Sequence, residues 1–193
     1  MILGIETSCD DTAAAVVTAE GVVLSSIVSS QTELHSPMGG IVPEIASRAH
    51  LGRILPVIRT ALASAGIGLD SIAGIAVTRG PGLIGALLVG VQAAKALSFA
   101  TGKPVVGVHH LAGHMAAPFL RGEDSCTPPE RPFVALVASG GHTSIFEARA
   151  DGGMRTMGRT RDDAAGEALD NAAKLLGLGY PGGPALEDLA RGH

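Results

Sequence analysis

The chain has 193 residues, a formal net charge of −4 and 46% hydrophobic residues, enough apolar material for one substantial core or two small ones. This acidic balance excludes a protein that coats nucleic acid along its whole length, because phosphate contacts need clustered lysines and arginines. Only two cysteines occur, Cys9 and Cys126, and no signal-like apolar run precedes Glu6, so we expect a cytoplasmic protein.

The first part of the chain alternates strand and helix patterns. Three apolar runs, MILGIE, TAAAVVTA and VVLSSIVS, predict a three-stranded meander. Apolar residues at helical spacing predict a helix over residues 43–65, and then follow a strand IAGIAVTR, a helix from Leu83, a strand PVVGV and a helix that carries His110. Gln92 and Lys95 interrupt the apolar run after Leu83, which predicts a buried helix and no membrane span.

The strand pattern starts again after the polar linker GEDSCTPPER. Strands are predicted at RPFVALVAS, TSIFEARA and MRTMGRT, and a helix over about 162–176, where this second round stops. We therefore predict an α/β protein with a duplicated βββαβαβα order. Its first subdomain spans residues 1–126, an incomplete second copy spans 127–193, and a ligand is held between them.

Each half begins with a strand that runs into a tight polar loop, GIETSCDDTA in the first and VASGGHTSI in the second. Gly140 and Gly141 allow the backbone to approach a ligand, and successive N–H groups in such a turn form an anion-binding nest. For Ser-Gly-Gly alone an ordinary hairpin turn is the better interpretation, but two equivalent loops in two halves favour a phosphate site.

The segment HHLAGHMAAP contains the strongest candidate for a metal site, the pair His110 and His114. Residues four apart lie on one face of a helix, where a single ion can bridge them. A metalloprotease of the HExxH type would need a glutamate directly after the first histidine, and this chain has Leu111 there. Spacing alone leaves open a half-buried helix with two incidental histidines.

Six blocks of the sequence resemble successive signature motifs of the TsaD family of tRNA threonylcarbamoyltransferases. The resemblance implies an actin, sugar-kinase and Hsp70-like (RNase H-like) fold, in agreement with the repeated strand and helix order. It also implies transfer of a threonylcarbamoyl group from threonylcarbamoyl-AMP to N6 of the adenosine beside the tRNA anticodon. The blocks are GIETSCDDTAAAVV, GGIVPEIASRAH, TRGPGLIGALLVGVQAAKALS, HHLAGHMAAP, LVASGGHTSIF and DDAAGEALDNAAKLLGLGYPGGPALE.

The resemblance also implies roles for individual residues. His110 and His114 would be two protein ligands of a divalent metal, iron in the first place, with zinc or magnesium as alternatives. No catalytic base is assigned, because an acyl adenylate is already activated and catalysis can consist mostly of positioning and charge stabilisation. The implied substrate-binding residues are a phosphate loop of Val137, Ala138, Ser139, Gly140 and Gly141, the nucleotide-pocket residues Asp170 and Gly183, and, as a weaker candidate, Glu187.

Members of the family continue past the position of His193, through an asparagine that contacts the nucleotide and an aspartate that completes the metal site. We therefore expect the chain to be a fragment or truncated form that transfers no threonylcarbamoyl group alone. The resemblance implies tRNA, threonylcarbamoyl-AMP, a smaller homologous TsaB-like subunit and a TsaE-like ATPase as partners. A noncatalytic nucleotide-binding or scaffold fragment, and a kinase or ATPase of the same fold, remain alternative functions.

Overall fold

The computed structural model describes residues 1–122 and 127–191, so Cys126 and part of the predicted polar linker lie outside the described residues. The chain divides into two compact units. The first unit comprises Met1–Gln31 and Val42–Pro128, and the second comprises Thr32–Ile41 and Pro129–His193. Each unit is built around its own sheet.

The order of strands and helices confirms the elements predicted from the pattern of apolar residues, with two helices added. The unpredicted helices are the short α1 and the terminal α6. In chain order the elements are β1 (Ile2–Glu6), β2 (Asp11–Val17), β3 (Val23–Ser30), α1 (Thr32–His35), α2 (Pro43–Ser64), β4 (Gly74–Gly80), α3 (Ile84–Thr101), β5 (Val105–His109), α4 (His110–Ala116), β6 (Phe133–Ala138), β7 (Thr143–Ala148), β8 (Met154–Arg159), α5 (Ala165–Leu175) and α6 (Gly182–Arg191).

The first unit contains a five-stranded mixed sheet in the order β3-β2-β1-β4-β5. β1, β2 and β3 form the predicted antiparallel meander, whereas β4 and β5 run parallel to β1. Leu3 pairs with Val16 on one side and Ile75 on the other, so the buried residues form a row across the sheet. α2 and α3 contribute the other half of this core, including Ile54, Ile58, Ala61 and Ala94.

The prediction that the helix after Leu83 is buried is wrong, because most of α3 is exposed or only half-buried. Only Ala86, Gly90 and Ala94 are buried in α3, whereas Leu88 and Phe99 are exposed. Small residues spaced four apart face the core and let the helix approach β1 closely, so the large apolar residues are left outside. By length and composition alone α3 could cross a membrane, and 17% of this helix is buried in the protein. A single helix of this kind is weak evidence for a membrane span.

The second unit contains a three-stranded antiparallel sheet in the order β6-β7-β8, followed by α5 and α6. Phe146 and Ala148 alternate with exposed or half-buried positions along β7, as expected for a strand with one face in a core. α5 begins at Ala165, three residues later than predicted, and α6 packs against it.

Candidate functional site

Three parallel strands of the first unit bring polar side chains to one edge of the sheet. Ile5 pairs with Val77 in β4, and Thr78 pairs with Val108 in β5, so the three strands end nearly level. Because the carboxyl ends of parallel strands meet at the same edge, Glu6, Thr78 and the first residue of α4, His110, lie together although they are far apart in sequence.

His110 and His114 face each other on α4, as their spacing predicted. Their Nε2 atoms are 3.1 Å apart, and the ring planes are nearly perpendicular at 82°. Two nitrogens that bind one ion at about 2.1 Å are separated by about 3.0 to 3.4 Å in octahedral or tetrahedral geometry. The pair is therefore arranged so that both nitrogens can contact the same ion.

The opposite ring nitrogen of His110 contacts the end of β1. Nδ1 of His110 is 3.2 Å from Oε2 of Glu6 and 3.2 Å from Oγ of Ser8. Glu6 also accepts hydrogen bonds from the Ser8 backbone N–H and from the Thr78 hydroxyl. The carboxylate is held at both oxygens, and its position is decided by β1, β4 and the loop after β1.

The protonation states at this edge suit metal binding. Burial by itself raises the pKa of Glu6, but hydrogen bonds from His110, Ser8 and Thr78 outweigh burial and lower that pKa to about 2. Burial, followed by the proximity of His110, lowers the pKa of His114, and Glu6 opposes this shift. At neutral pH Glu6 is ionised and His114 is neutral, the state in which imidazole can donate a lone pair to a metal.

The loop after β1 is fixed by hydrogen bonds from three other segments. The carbonyl oxygens of Ser8, Cys9 and Asp10 accept from Leu83 N–H (2.8 Å), His50 Nε2–H (3.0 Å) and Gln31 N–H (3.1 Å) in turn. Burial, followed by the charge of Asp10, raises the pKa of the Cys9 thiol to about 12, so this thiol stays protonated at neutral pH.

His50 is the buried anchor of the same loop. It lies in α2 with no solvent exposure, and its Nδ1 is 2.7 Å from the hydroxyl of Thr12. Both ring nitrogens are thus occupied by hydrogen bonds within the protein. His50 therefore serves the fold, whereas His110 and His114 have nitrogens directed at each other.

The carboxylate that would complete a metal site was not identified from sequence. Across residues 1–122 and 127–191, no group of three or more His, Cys, Asp or Glu side chains is arranged to hold an ion. Glu6 touches the outer nitrogen of His110, away from the space between the two Nε2 atoms. In this part of the chain, the site therefore consists of two histidines that face each other and a carboxylate behind one of them.

In the second unit the predicted phosphate loop joins β6 to β7. Val137 and Ala138 end β6, and the turn is closed by hydrogen bonds between Ser139 and His142, from the Ser139 N–H to the His142 oxygen (2.8 Å) and from the His142 N–H to Ser139 Oγ (3.1 Å). At Gly140 and Gly141 a Cβ atom would find nothing within 4 Å, so the backbone is open to a ligand.

The amino terminus of α5 lies directly against this loop. Gly166 donates its N–H to the carbonyl of Ser139 (3.1 Å), and a Cβ atom at position 166 would lie 2.7 Å from the Cα of Gly140. Only glycine fits such an approach. The loop is therefore next to the positive end of a helix dipole, where anions are favoured.

The other implied nucleotide residues lie around the junction of α5 and α6. Asp170 accepts a hydrogen bond from the Gly182 N–H at 2.7 Å, and so caps the start of α6. Gly183 follows directly, and a Cβ atom at this position would lie 3.7 Å from the Leu169 side chain. Glu187 is exposed and forms an ion pair with Arg191 (2.6 Å), its neighbour four residues on in α6.

Sequence reasoning missed Glu6, Ser8, Thr78 and Gly166. The available signal for the first three was topological. A strand-loop-strand start followed by two βα units predicts parallel neighbours for β1, and polar residues at the ends of parallel strands converge. Gly166 carried no signal, because its role depends on how closely α5 approaches the loop.

These features define the class of the protein: a mixed α/β chain with a five-stranded sheet whose parallel edge carries a histidine pair backed by a carboxylate. Two solved structures share the fold, YeaZ from Pseudomonas aeruginosa (TM-score 0.50, 20% identity, 81% of this chain and 64% of that chain) and an uncharacterized protein with similarity to peptidase YEAZ from Pseudomonas aeruginosa (TM-score 0.51, 22% identity, 81% and 63%). At this level of identity the likeness concerns the fold alone.

The family model TsaD, described as tRNA N6-adenosine threonylcarbamoyltransferase, matches residues 22–193, and the chain belongs to this family. Relatives named tRNA N6-adenosine threonylcarbamoyltransferase include those of Sorangium cellulosum (59% identical, 99% of this chain and 56% of the relative) and Syntrophus aciditrophicus (58% identical, 99% and 55%). The chain spans about half the length of the curated relatives it matches.

Proposed function

We propose that this chain forms the amino-terminal part of an enzyme that transfers a threonylcarbamoyl group from threonylcarbamoyl-AMP to N6 of the adenosine beside the tRNA anticodon. Membership of the TsaD family, over residues 22–193, is the observation that carries the proposal. The donor is activated by its AMP leaving group, so the protein's task is to orient the carbonyl and the adenine amine and to stabilise negative charge.

The proposed metal site consists of His110 and His114, with iron as the expected ion and zinc as an alternative. The separation of 3.1 Å between the two Nε2 atoms supports this assignment. Imidazole ligands suit iron and zinc, whereas magnesium prefers oxygen ligands, so the donor set disfavours magnesium. When bound, such an ion supplies a Lewis acid for a carbonyl oxygen. The chain's own contribution is to hold the two imidazoles in a fixed orientation.

The proposed adenylate site is the loop of Ser139, Gly140 and Gly141 at the start of α5. Its support is the open backbone at the two glycines and the adjacent helix amino terminus. Asp170 and Gly183 are proposed to line the nucleotide pocket. Because Asp170 also caps α6 through the Gly182 N–H, a substitution there will affect both the fold and the ligand.

We also propose that the two units are copies of one architecture, the second incomplete. Each begins with a three-stranded antiparallel meander followed by a helix, β1-β2-β3-α2 in the first and β6-β7-β8-α5 in the second. In each unit the first strand runs into a polar loop. Such a repeat supports a duplicated actin-like fold.

The proposed protein partners are a smaller homologous TsaB-like subunit and a TsaE-like ATPase. The exposed apolar face of α2 and α3, which includes Leu51, Leu55 and Leu88, is the surface we assign to the homologous subunit. The solved structures that share this fold are of YeaZ type, and a subunit of the same fold would present the same two helices. The α2–α3 pair of each subunit can then pack its apolar face against that of the other subunit, which forms a layer of four helices.

The experiment supplies this chain with tRNA, threonylcarbamoyl-AMP and the two partner subunits, and measures the modified nucleoside by mass spectrometry. The full-length enzyme of Sorangium cellulosum serves as the positive control. We expect turnover by the control and none by the 193-residue chain, because its described part offers only two metal ligands. Turnover by the chain would overturn the expectation that the metal site needs a further protein ligand.

A second measurement separates the transferase from the alternative functions. Isotopically labelled ATP and AMP are offered to the chain, and both binding and release of phosphate are recorded. AMP binding without phosphate release is expected for an acyl-adenylate site. Release of phosphate from ATP would favour a kinase or ATPase, and absence of nucleotide binding would favour a scaffold.

A further inference from the structure

The contact between Glu6 and His110 has a chemical consequence for the imidazole ring. A neutral histidine carries one proton, on Nδ1 or on Nε2, and the hydrogen bond made by one nitrogen decides which nitrogen is free to donate a lone pair. Glu6 already accepts hydrogen bonds from the Ser8 N–H and the Thr78 hydroxyl. It is therefore an acceptor at both oxygens, so His110 Nδ1, 3.2 Å from Oε2, donates to it. Ser8 Oγ lies 3.2 Å from the same nitrogen and can accept from the same N–H.

We propose that Glu6 is a positioning residue that holds His110 in the Nδ1–H tautomer, so that the Nε2 lone pair of His110 is directed at the shared ion site. The proposal rests on the metal site proposed above. Glu6 contacts Nδ1 of His110 and lies away from the space between the two Nε2 atoms. It acts through His110, in the manner of the carboxylates that orient metal-bound histidines from behind.

The arrangement also makes the two histidines unequal. With a neutral His110 that carries its proton on Nδ1, the contact of 3.1 Å between the two Nε2 atoms is a hydrogen bond donated by Nε2–H of His114. In the metal-free protein His110 therefore has a free lone pair on Nε2, whereas Nε2 of His114 carries a proton and cannot bind an ion in that tautomer. For both Nε2 atoms to hold an ion, the proton of His114 would have to move to its own Nδ1 or to solvent, whereas the proton of His110 would stay on Nδ1.

The position of Glu6 is set by parts of the fold that do not depend on an ion. Glu6 is the last residue of β1, and its backbone pairs with Ala13 in β2. Its side chain is held by Thr78 from β4 and by the backbone of Ser8, whose carbonyl is tied to the start of α3 through Leu83. The carboxylate is thus pre-organised, and the tautomer of His110 is selected in the metal-free protein.

The first readout is the tautomer of His110 in the metal-free chain, observed in ¹H–¹⁵N correlation spectra of the imidazole nitrogens. In the unmodified chain His110 is expected as Nδ1–H. Glu6→Ala is expected to give a mixture of both tautomers, and Glu6→Gln an intermediate result. Glu20→Ala, at the exposed turn between β2 and β3, removes a carboxylate at the opposite edge of the sheet and should change nothing.

The second readout is the affinity for Zn²⁺, measured by calorimetry on the same four proteins. Loss of a carboxylate behind a metal-bound histidine typically weakens binding by about 10- to 100-fold. This loss is expected for Glu6→Ala, a smaller loss for Glu6→Gln, and none for Glu20→Ala. Addition of Zn²⁺ to the unmodified chain should move the proton of His114 and leave that of His110.

The two readouts separate this inference from the proposed metal site. A tautomer change in Glu6→Ala with no Zn²⁺ binding by any protein would retain the positioning role and refute a metal site formed by His110 and His114 alone. An Nε2–H tautomer of His110 in the unmodified chain would refute the inference outright, even if both Glu6 variants failed to fold. Folded variants that keep the Nδ1–H tautomer and the original Zn²⁺ affinity would refute it as well.

Discussion

Gly90 allows α3 to lie directly on the strand that carries the candidate site. A Cβ atom at position 90 would come closer than 3.0 Å to the hydroxyl oxygen of Thr7, the residue after Glu6. Thr7 is fully buried and donates its hydroxyl to the carbonyl of Ala86 at 2.8 Å. Gly90→Ala must therefore either push α3 away from β1 or rotate Thr7 and break this hydrogen bond.

The expected magnitude follows from three contributions. Overpacking a filled core costs about 1–3 kcal/mol. Loss of the Thr7 hydrogen bond costs about 1 kcal/mol more. The higher helix propensity of alanine compared with glycine offsets about 1 kcal/mol of this destabilisation. We expect Gly90→Ala to lower the free energy of unfolding by about 1–3 kcal/mol in total.

Gly52 in α2 is the matched control, because it is exposed and a Cβ atom there would meet nothing within 4 Å. Gly52→Ala removes only the conformational cost of glycine and should raise the free energy of unfolding by about 0.5–1 kcal/mol. Both variants are compared with the original chain by urea denaturation followed by circular dichroism. Equal stability changes in the two variants, or a stabilised Gly90→Ala, would refute the close approach of α3 to Thr7.

Four further predictions concern the site and its surroundings. The pKa of Glu6 is lowered on folding, so this carboxylate stabilises the protein above pH 4.5, and the contribution is lost as the pH falls toward about 2. The difference in unfolding free energy between the original chain and Glu6→Gln should therefore shrink between pH 4.5 and about 2. His114→Ala should abolish binding of one divalent ion per chain, measured by metal analysis. The melting temperature should change little, because among residues 1–122 and 127–191 the hydrogen-bond partner of His114 is His110. Gly140→Val should weaken AMP binding measured by calorimetry, because a branched side chain blocks the open backbone. Leu88→Asp should weaken association with the TsaB-like subunit in sedimentation experiments without unfolding the chain, since this leucine is 56% exposed.

Each of these predictions has a control that changes the same chemistry elsewhere. The pH profile is compared with that of Glu44→Gln, and a shared profile would contradict the assignment to Glu6. His109→Ala, directly before the pair, should keep the metal. Gly158→Val places the same side chain in β8 and should keep AMP affinity, and Leu175→Asp places the same charge on exposed α5 and should keep association. Loss of binding in a control would contradict the site in question.

The order of strands and helices could be predicted from the sequence because periodicity is a local property. Alternation with period two in β2 and β7, and apolar residues three and four apart in α2, are produced by the geometry of single elements. The facing of His110 and His114 could be predicted for the same reason, since residues four apart on a helix meet whatever surrounds the helix. Family membership likewise follows from motifs that are contiguous in sequence.

Other features depended on packing between distant segments. α6 starts at Gly182 within a stretch of glycine and proline, which indicates a loop, and its first N–H is capped by Asp170 from the preceding helix. The outer face of α3 has the composition of a buried helix, and only its placement on β1 through Gly90 shows which face is covered.

The carboxylate behind the histidine pair is the feature that only the tertiary structure decided. Glu6 and His110 are separated by 104 positions, and no pattern within either segment refers to the other. They meet because β4 lies between β1 and β5, which brings the ends of three parallel strands to one edge of the sheet. The sequence by itself determined which elements form and which residues could bind a metal. The order of strands in the sheet determined which carboxylate orients the first histidine, because hydrogen bonds between side chains require the strands that carry them to be neighbours.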